Sequence, residues 1–148
     1  MWRRVHPHPH VHRLTKPVMG KTAGLWIVLA GLNGLIAVAA GAYGAHGLSD
    51  QADYLVESFN TGVDYHMWHA LALLGVAWLA DRTGGAAPVR LAGLLFMAGI
   101  IFFSGSLYVF GITADIPFAG SAPAGGLMLM GGWILVCISS FRLTRTTQ

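Results

Sequence analysis

A small set of polar side chains in an otherwise apolar chain has the types and spacing to do chemistry together. Tyr43 and His46 close the first apolar run, Tyr65, His66 and His69 open the second, and Ser104, Ser106 and Tyr108 lie toward the end of the third. His66 and His69 are three apart and share one helix face. With His46 they could supply three nitrogens to a metal ion, or two of them could ligate a haem. The competing use is hydrogen bonding between helices, the ordinary role of polar groups buried in a membrane. No carboxylate lies at the same depth and no longer ligand motif accompanies the histidines, so hydrogen bonding is expected and no cofactor is assigned. The run Phe103-Ser104-Gly105-Ser106 resembles GxSxG only superficially and has no base beside it, so these serines read as structural. No catalytic residue is expected.

The elements that must position this set are membrane spans. Of 148 residues, 55% are hydrophobic and only 10% charged, where soluble chains carry about a quarter charged residues. Four apolar stretches stand out, at about 24–45, 61–80, 89–111 and 123–141. A hydrocarbon core about 30 Å thick needs roughly 20 helical residues, which three of them supply directly. The second reaches that length only by starting upstream near Thr61. The expected fold is an all-α membrane protein, a bundle of four transmembrane helices.

Basic residues orient the bundle. Arg3, Arg4, Arg13, Lys16 and Lys21 precede the first span, Arg82 and Arg90 flank the loop between the second and third, and Arg142 and Arg145 follow the fourth. Five of the six acids, Asp50, Asp53, Glu57, Asp64 and Asp115, fall in the two other loops. The positive-inside rule puts both termini in the cytoplasm. The formal charge of +3 is scattered instead of interleaved with aromatics, which argues against nucleic acid as a partner. The lone Cys137 excludes an internal disulfide.

Residues 1–20 form a basic, histidine-rich tail in which His6, His8, His10 and His12 alternate with Pro7 and Pro9. It is too polar and proline-rich to pack, could bind divalent metal opportunistically, and leaves Met19 as an alternative start. The membrane domain then covers 21–143, with a cytoplasmic tail over 144–148. A cleaved signal peptide ending at Ala40-Gly41-Ala42 is the rival reading of the first span, but this apolar run exceeds the usual ~7–15-residue signal core. Between the first two spans, Asp50, Asp53, Glu57, Asn60 and Asp64 share one helical face, opposite Ala52, Leu55, Val56, Phe59 and Val63. That pattern predicts a short amphipathic helix lying in the outer interface, or one rising straight into the second span with Gly62 as a bend.

In lipid, helices associate through small residues. Candidate packing positions are Gly31, Gly34, Gly41 and Gly44 in the first span, Gly99 in the third, and Gly125, Gly126 and Gly132 in the fourth. Seven-residue spacing of small residues, at Gly24 and Gly31, Gly34 and Gly41, Ala92, Gly99 and Ser106, and Gly125, Gly132 and Ser139, favours left-handed packing. No Asp, Glu, Lys or Arg lies deep in a span, which argues against a pump. The deepest polar residue of the first span is Asn33, where small multidrug exporters use a Glu.

Gly41-Ala42-Tyr43-Gly44-Ala45-His46-Gly47-Leu48, Tyr65 to His69 with Ala70-Leu71, Phe103 to Tyr108, Pro123 to Gly126 and Gly132-Trp133 together resemble the signature of domain-of-unknown-function family 423. This is the YgdD-like family, related to the animal transmembrane protein 256. The resemblance covers about residues 21–141. It implies a small multi-pass protein of the bacterial inner membrane with no established activity. It also implies marked positions at Gly44, His46, Tyr65, His69, Ser104, Gly105, Ser106, Tyr108, Pro123, Gly125, Gly126 and Trp133. His66 stands where the family usually has Gln, and Ala122 where Thr commonly precedes the proline.

Packing signals without a catalytic constellation point to a non-enzymatic assembly or interaction component, with lipid, other membrane proteins or its own copies as partners. The alternative is a metal-, haem- or small-molecule-binding membrane protein that uses the His/Tyr cluster, which the antiparallel spans should gather near the outer leaflet.

Overall fold

A computed structural model describes residues 19–145, and the histidine alternation of the tail lies outside them. Every regular element among the described residues is helical: α1 (Lys21–Gly47), α2 (Asp53–Thr83), α3 (Ala87–Gly99), a π-helical turn (Ile100–Ser104), α4 (Gly105–Thr113) and α5 (Ser121–Arg145). Three stretches are long and apolar enough to cross a membrane: Lys21–Gly47, the continuous rod Ala87–Thr113, and Ser121–Phe141. The outer surface fits that medium, since Leu35, Ile101, Leu127 and Ile134 are among many large apolar side chains left exposed.

The helices begin and end where backbone chemistry dictates. α2 stops at Gly84, whose left-handed φ of 62° lets its N–H return to the Ala80 carbonyl. Gly85 repeats the left-handed turn, and Pro88 opens the first turn of α3, where its missing N–H costs nothing. α4 ends the same way on Ala114, at φ 59° and without a glycine's freedom. α2 is the central element: α1 makes the most extensive packing against it, the α3–α4 rod also packs on it, and α5 packs on α3 and the π turn. The main core, toward the basic end, joins Trp26, Leu73, Val76, Val89, Phe96 and Leu129 from four helices.

The expected amphipathic segment has the right faces but the wrong partner. Leu55 and Phe59 are buried and all five residues of the acidic face are exposed, as the pattern predicts. Of the two expected arrangements the structure has the second: the segment is not a separate interfacial helix but rises straight into the expected second span, α2 running unbroken from Asp53 to Thr83. Its apolar face packs on α4, where the Phe59 and Tyr108 rings lie 4.8 Å apart. Burying that face in protein removes the reason for it to lie in the interface.

Small residues mediate the packing, though not at all the expected positions. A Cβ on Gly125 would collide with the Phe103 backbone nitrogen, so α5 crosses the π turn backbone to backbone. Gly99 lies under Leu129, Gly132 under the Phe96 ring, and Gly44 against Phe59 and Asn60, while Gly41 meets only Val63 at ordinary distance. Gly31 and Gly34 have open space where a Cβ would stand, and Gly126 has only the Phe103 ring beyond 3.8 Å. Gly31 and Gly34 are therefore not packing positions within the bundle, whereas Gly126 makes an ordinary contact with that ring. Seven-residue spacing identifies a stripe but not which side of the helix faces protein. Gly93 under Trp26, Gly62 against Tyr108, and Gly111 against Phe59 serve instead.

Candidate functional site

Two hydrogen-bonded groups occupy the bundle interior, one around each histidine of α2. His66 is 4% exposed, with Nδ1 3.0 Å from the Tyr108 hydroxyl of α4 and Nε2 3.0 Å from Asn33 Oδ1 of α1. The Asn33 amide nitrogen donates to the Leu29 carbonyl at 2.8 Å and approaches the Met97 sulfur at 3.3 Å. That fixes Oδ1 as the atom facing His66, so the imidazole Nε2–H donates to it and Nδ1 accepts from Tyr108. One chain of donors runs from α4 through α2 to α1.

His69, one turn on, is equally enclosed. Its Nδ1 lies 2.7 Å from the Tyr65 carbonyl, which can only accept, so Nδ1 carries the proton. Nε2 then accepts from the Trp133 indole N–H of α5 at 3.2 Å. Phe96 and Trp133 close over the ring, with centroids at 5.4 and 6.1 Å. Together His66 and His69 tie α2 to every other long helix. Each imidazole is neutral in this arrangement with its tautomer set by its neighbours.

The structure divides the expected polar cluster instead of gathering it. His46 is exposed at the end of α1, so His46, His66 and His69 do not converge, and no group of three His, Cys, Asp or Glu residues among the described residues could hold a metal ion. His69 has no ring nitrogen free for a metal or haem iron. Tyr65 packs its ring on Phe103, at 4.6 Å, and on Trp68, at 5.0 Å. Ser106 donates to the Ser121 hydroxyl at 2.7 Å, which itself bonds the Phe118 carbonyl and so ties the last loop to α4. Ser104 is fully buried and its hydroxyl has no partner.

The ties are also deeper than the expected outer-leaflet cluster. Asn33 stands near the middle of α1, and Trp133 near the middle of α5. Neither partner belongs to the polar cluster expected from residue type, although Asn33 is the deepest polar residue of the first span and Trp133 a position marked by the family resemblance. The signal at Asn33 is a polar side chain at the centre of an apolar span. Nothing in the sequence announces the π turn, a feature common beside functional sites, which precedes Tyr108 by less than two helical turns.

Residues 40–126 match the family described as Protein of unknown function (DUF423). The UPF0382 membrane protein YwdK of Bacillus subtilis (strain 168) is 41% identical over 119 residues, covering 80% of this chain and 97% of that protein. A UPF0382 membrane protein of Staphylococcus aureus (strain USA300) is 40% identical over 119 residues, 80% of this chain and 96% of its own. The chain belongs to the DUF423 family. The relatives are named as membrane proteins, in agreement with the three apolar helices. No solved structure matches the chain. The DUF423 match contains Asn60 to Phe103 and both histidines of the ties, but stops before the Trp133 that completes the second.

Proposed function

We propose that this DUF423 chain is a non-enzymatic, four-span protein of the bacterial inner membrane, with both termini cytoplasmic, acting as an assembly or interaction component. The observation that carries this reading is the saturation of the two candidate histidines. Every ring nitrogen is spent on a bond to a neighbouring helix or to α2 itself, so the polar residues serve to hold the bundle together. Activity of such a scaffold resides in its outer, apolar surface.

The fourth span rests on position. α2 has 31 residues, about 46 Å of helix, and lies packed among three helices of membrane-spanning length and hydropathy. A helix held at their depth crosses with them, and its mixed composition reflects an acidic first third reaching past the hydrocarbon. The distribution of Lys and Arg supports the orientation, and the seven-residue stripes Ala92–Gly99 and Gly125–Gly132–Ser139 support left-handed crossings.

Affinity purification of the full chain in mild detergent, followed by mass spectrometry and an absorbance spectrum, tests the role. A stoichiometric protein partner, or a defined self-assembly without a chromophore, is the expected outcome. Turnover by the isolated protein would sink the reading. Reporter fusions at each end test the orientation separately.

A second reading, binding of a small apolar molecule, has one observation in its favour. A lateral groove of about 440 Å³ opens between Leu32, Ile36 and Ile101, with Asn33, His66 and Tyr108 at its floor. The Tyr108 oxygen, which donates to His66, keeps lone pairs that could accept from a ligand hydroxyl.

A further inference from the structure

A second groove, remote from the histidine ties, has the polarity profile of an amphiphile. It lies between the beginnings of α1 and α3, encloses about 450 Å³, and carries Lys21 and Arg90 at its mouth. Lys21, Leu25 and Leu29 follow one another at four-residue intervals down one face of α1, as Arg90 and Leu94 do on α3. Each wall therefore starts with a cation and continues with leucine, and Met97 closes the groove below Leu94. From Lys21 to Leu29 the wall descends about 12 Å. Leu25 and Leu94 are more than half exposed, so the apolar part opens sideways to the hydrocarbon.

The two cations have no carboxylate partner among the described residues. The nearest acid in sequence to this end of α2, Asp81, accepts the Gly20 N–H and lines a different cleft, with Met19 and Trp78. Two like charges facing one mouth at the headgroup level repel, and an anion between them removes that cost. In the same wall the Trp26 indole N–H is buried without an acceptor in the protein.

We propose that this groove is a binding site for an anionic phospholipid, its phosphate held between Lys21 and Arg90 and an acyl chain laid along Leu25, Leu29, Leu94 and Met97. A soluble anion would satisfy the cations but leave the apolar wall unused, whereas a zwitterionic lipid would fill the wall but place its own cation beside two others. The site requires only that α1 and the α3–α4 rod lie in a bilayer, and it is independent of which side the termini occupy.

The test uses the full chain in neutral detergent, with thermal stability followed as phosphatidylglycerol, phosphatidylcholine or inorganic phosphate is added. Phosphatidylglycerol is expected to raise Tm saturably, and the other two to leave it near its starting value. In the Lys21→Gln/Arg90→Gln double variant the apparent affinity for phosphatidylglycerol should fall by on the order of tenfold or more. Arg82→Gln, at the same end but stacked over Trp78, should leave that affinity unchanged. Because both substituted side chains are exposed, the lipid-free Tm of the double variant reports whether it folds. Equal shifts with phosphatidylcholine, an equal shift with inorganic phosphate, or undiminished phosphatidylglycerol affinity in the double variant would each overturn the proposal.

Discussion

Asn33 Oδ1 and His66 Nε2 meet 3.0 Å apart in the interior, joining the centre of α1 to α2. Each is the other's means of being buried. The Asn33 amide, already committed through its nitrogen to Leu29, would otherwise keep an unsatisfied oxygen in a medium without water, and the imidazole would keep an unsatisfied N–H.

Removing His66 should therefore cost more than one bond. His66→Leu deletes the contacts to both Asn33 and Tyr108 and strands two polar groups, for an expected loss of about 1–3 kcal/mol. His66→Gln, whose amide can still donate to Asn33 or accept from Tyr108, should lose less than half as much. Denaturation of the two variants in the same detergent checks the order. A His66→Leu protein as stable as the parent would remove the tie from the account.

The second tie predicts a smaller effect. Trp133→Phe keeps an aromatic ring against Phe96 but deletes the N–H donated to His69, and should cost about 1 kcal/mol. Its signature is additivity. Combined with Tyr108→Phe, which affects only His66, the losses should sum within about 0.5 kcal/mol, because the two groups share no hydrogen bond.

Glycines sort by what a methyl would meet. Gly125→Ala would drive a Cβ into the Phe103 backbone, which cannot rotate away, and should destabilise by several kcal/mol or block folding. Gly31→Ala faces open space on a helix and should be neutral or stabilising by up to about 1 kcal/mol. Expression level and melting temperature of the pair give the comparison. The same result at both positions would contradict the packing of α5 on the π turn.

Ala114 occupies a conformation that favours glycine. With φ at 59° and its N–H bonded to the Phe110 carbonyl at 2.8 Å, Ala114→Gly relieves the Cβ strain while keeping the cap. A rise in stability of up to about 1 kcal/mol is expected in a thermal melt. Ala114→Val should lower it.

Much of the chain was legible because composition and charge act locally. The three strongest spans, the acidic and apolar faces of 49–64 and the family signature all follow from residue types in order along the chain. The polar site was legible only in part. His66, His69 and Tyr108 were singled out by type, but Asn33 and Trp133 lie 33 and 64 positions away from the histidines they bond. His46 was grouped with them on similar depth, although its side chain points outward.

Sequence alone determined that this chain meets lipid, because a span needs only a run of apolar residues long enough to cross, whatever its neighbours. It also determined which residues were too polar to be left bare there. Tertiary structure decided what those residues do. Whether an imidazole binds a ligand or ties two helices depends on the rotation of each helix about its axis and on the π turn that sets the phase of α4. Those angles are chosen by close packing across helices, such as Gly125 on Phe103 and Gly62 on Tyr108, and they turned the expected cluster into two closed ties.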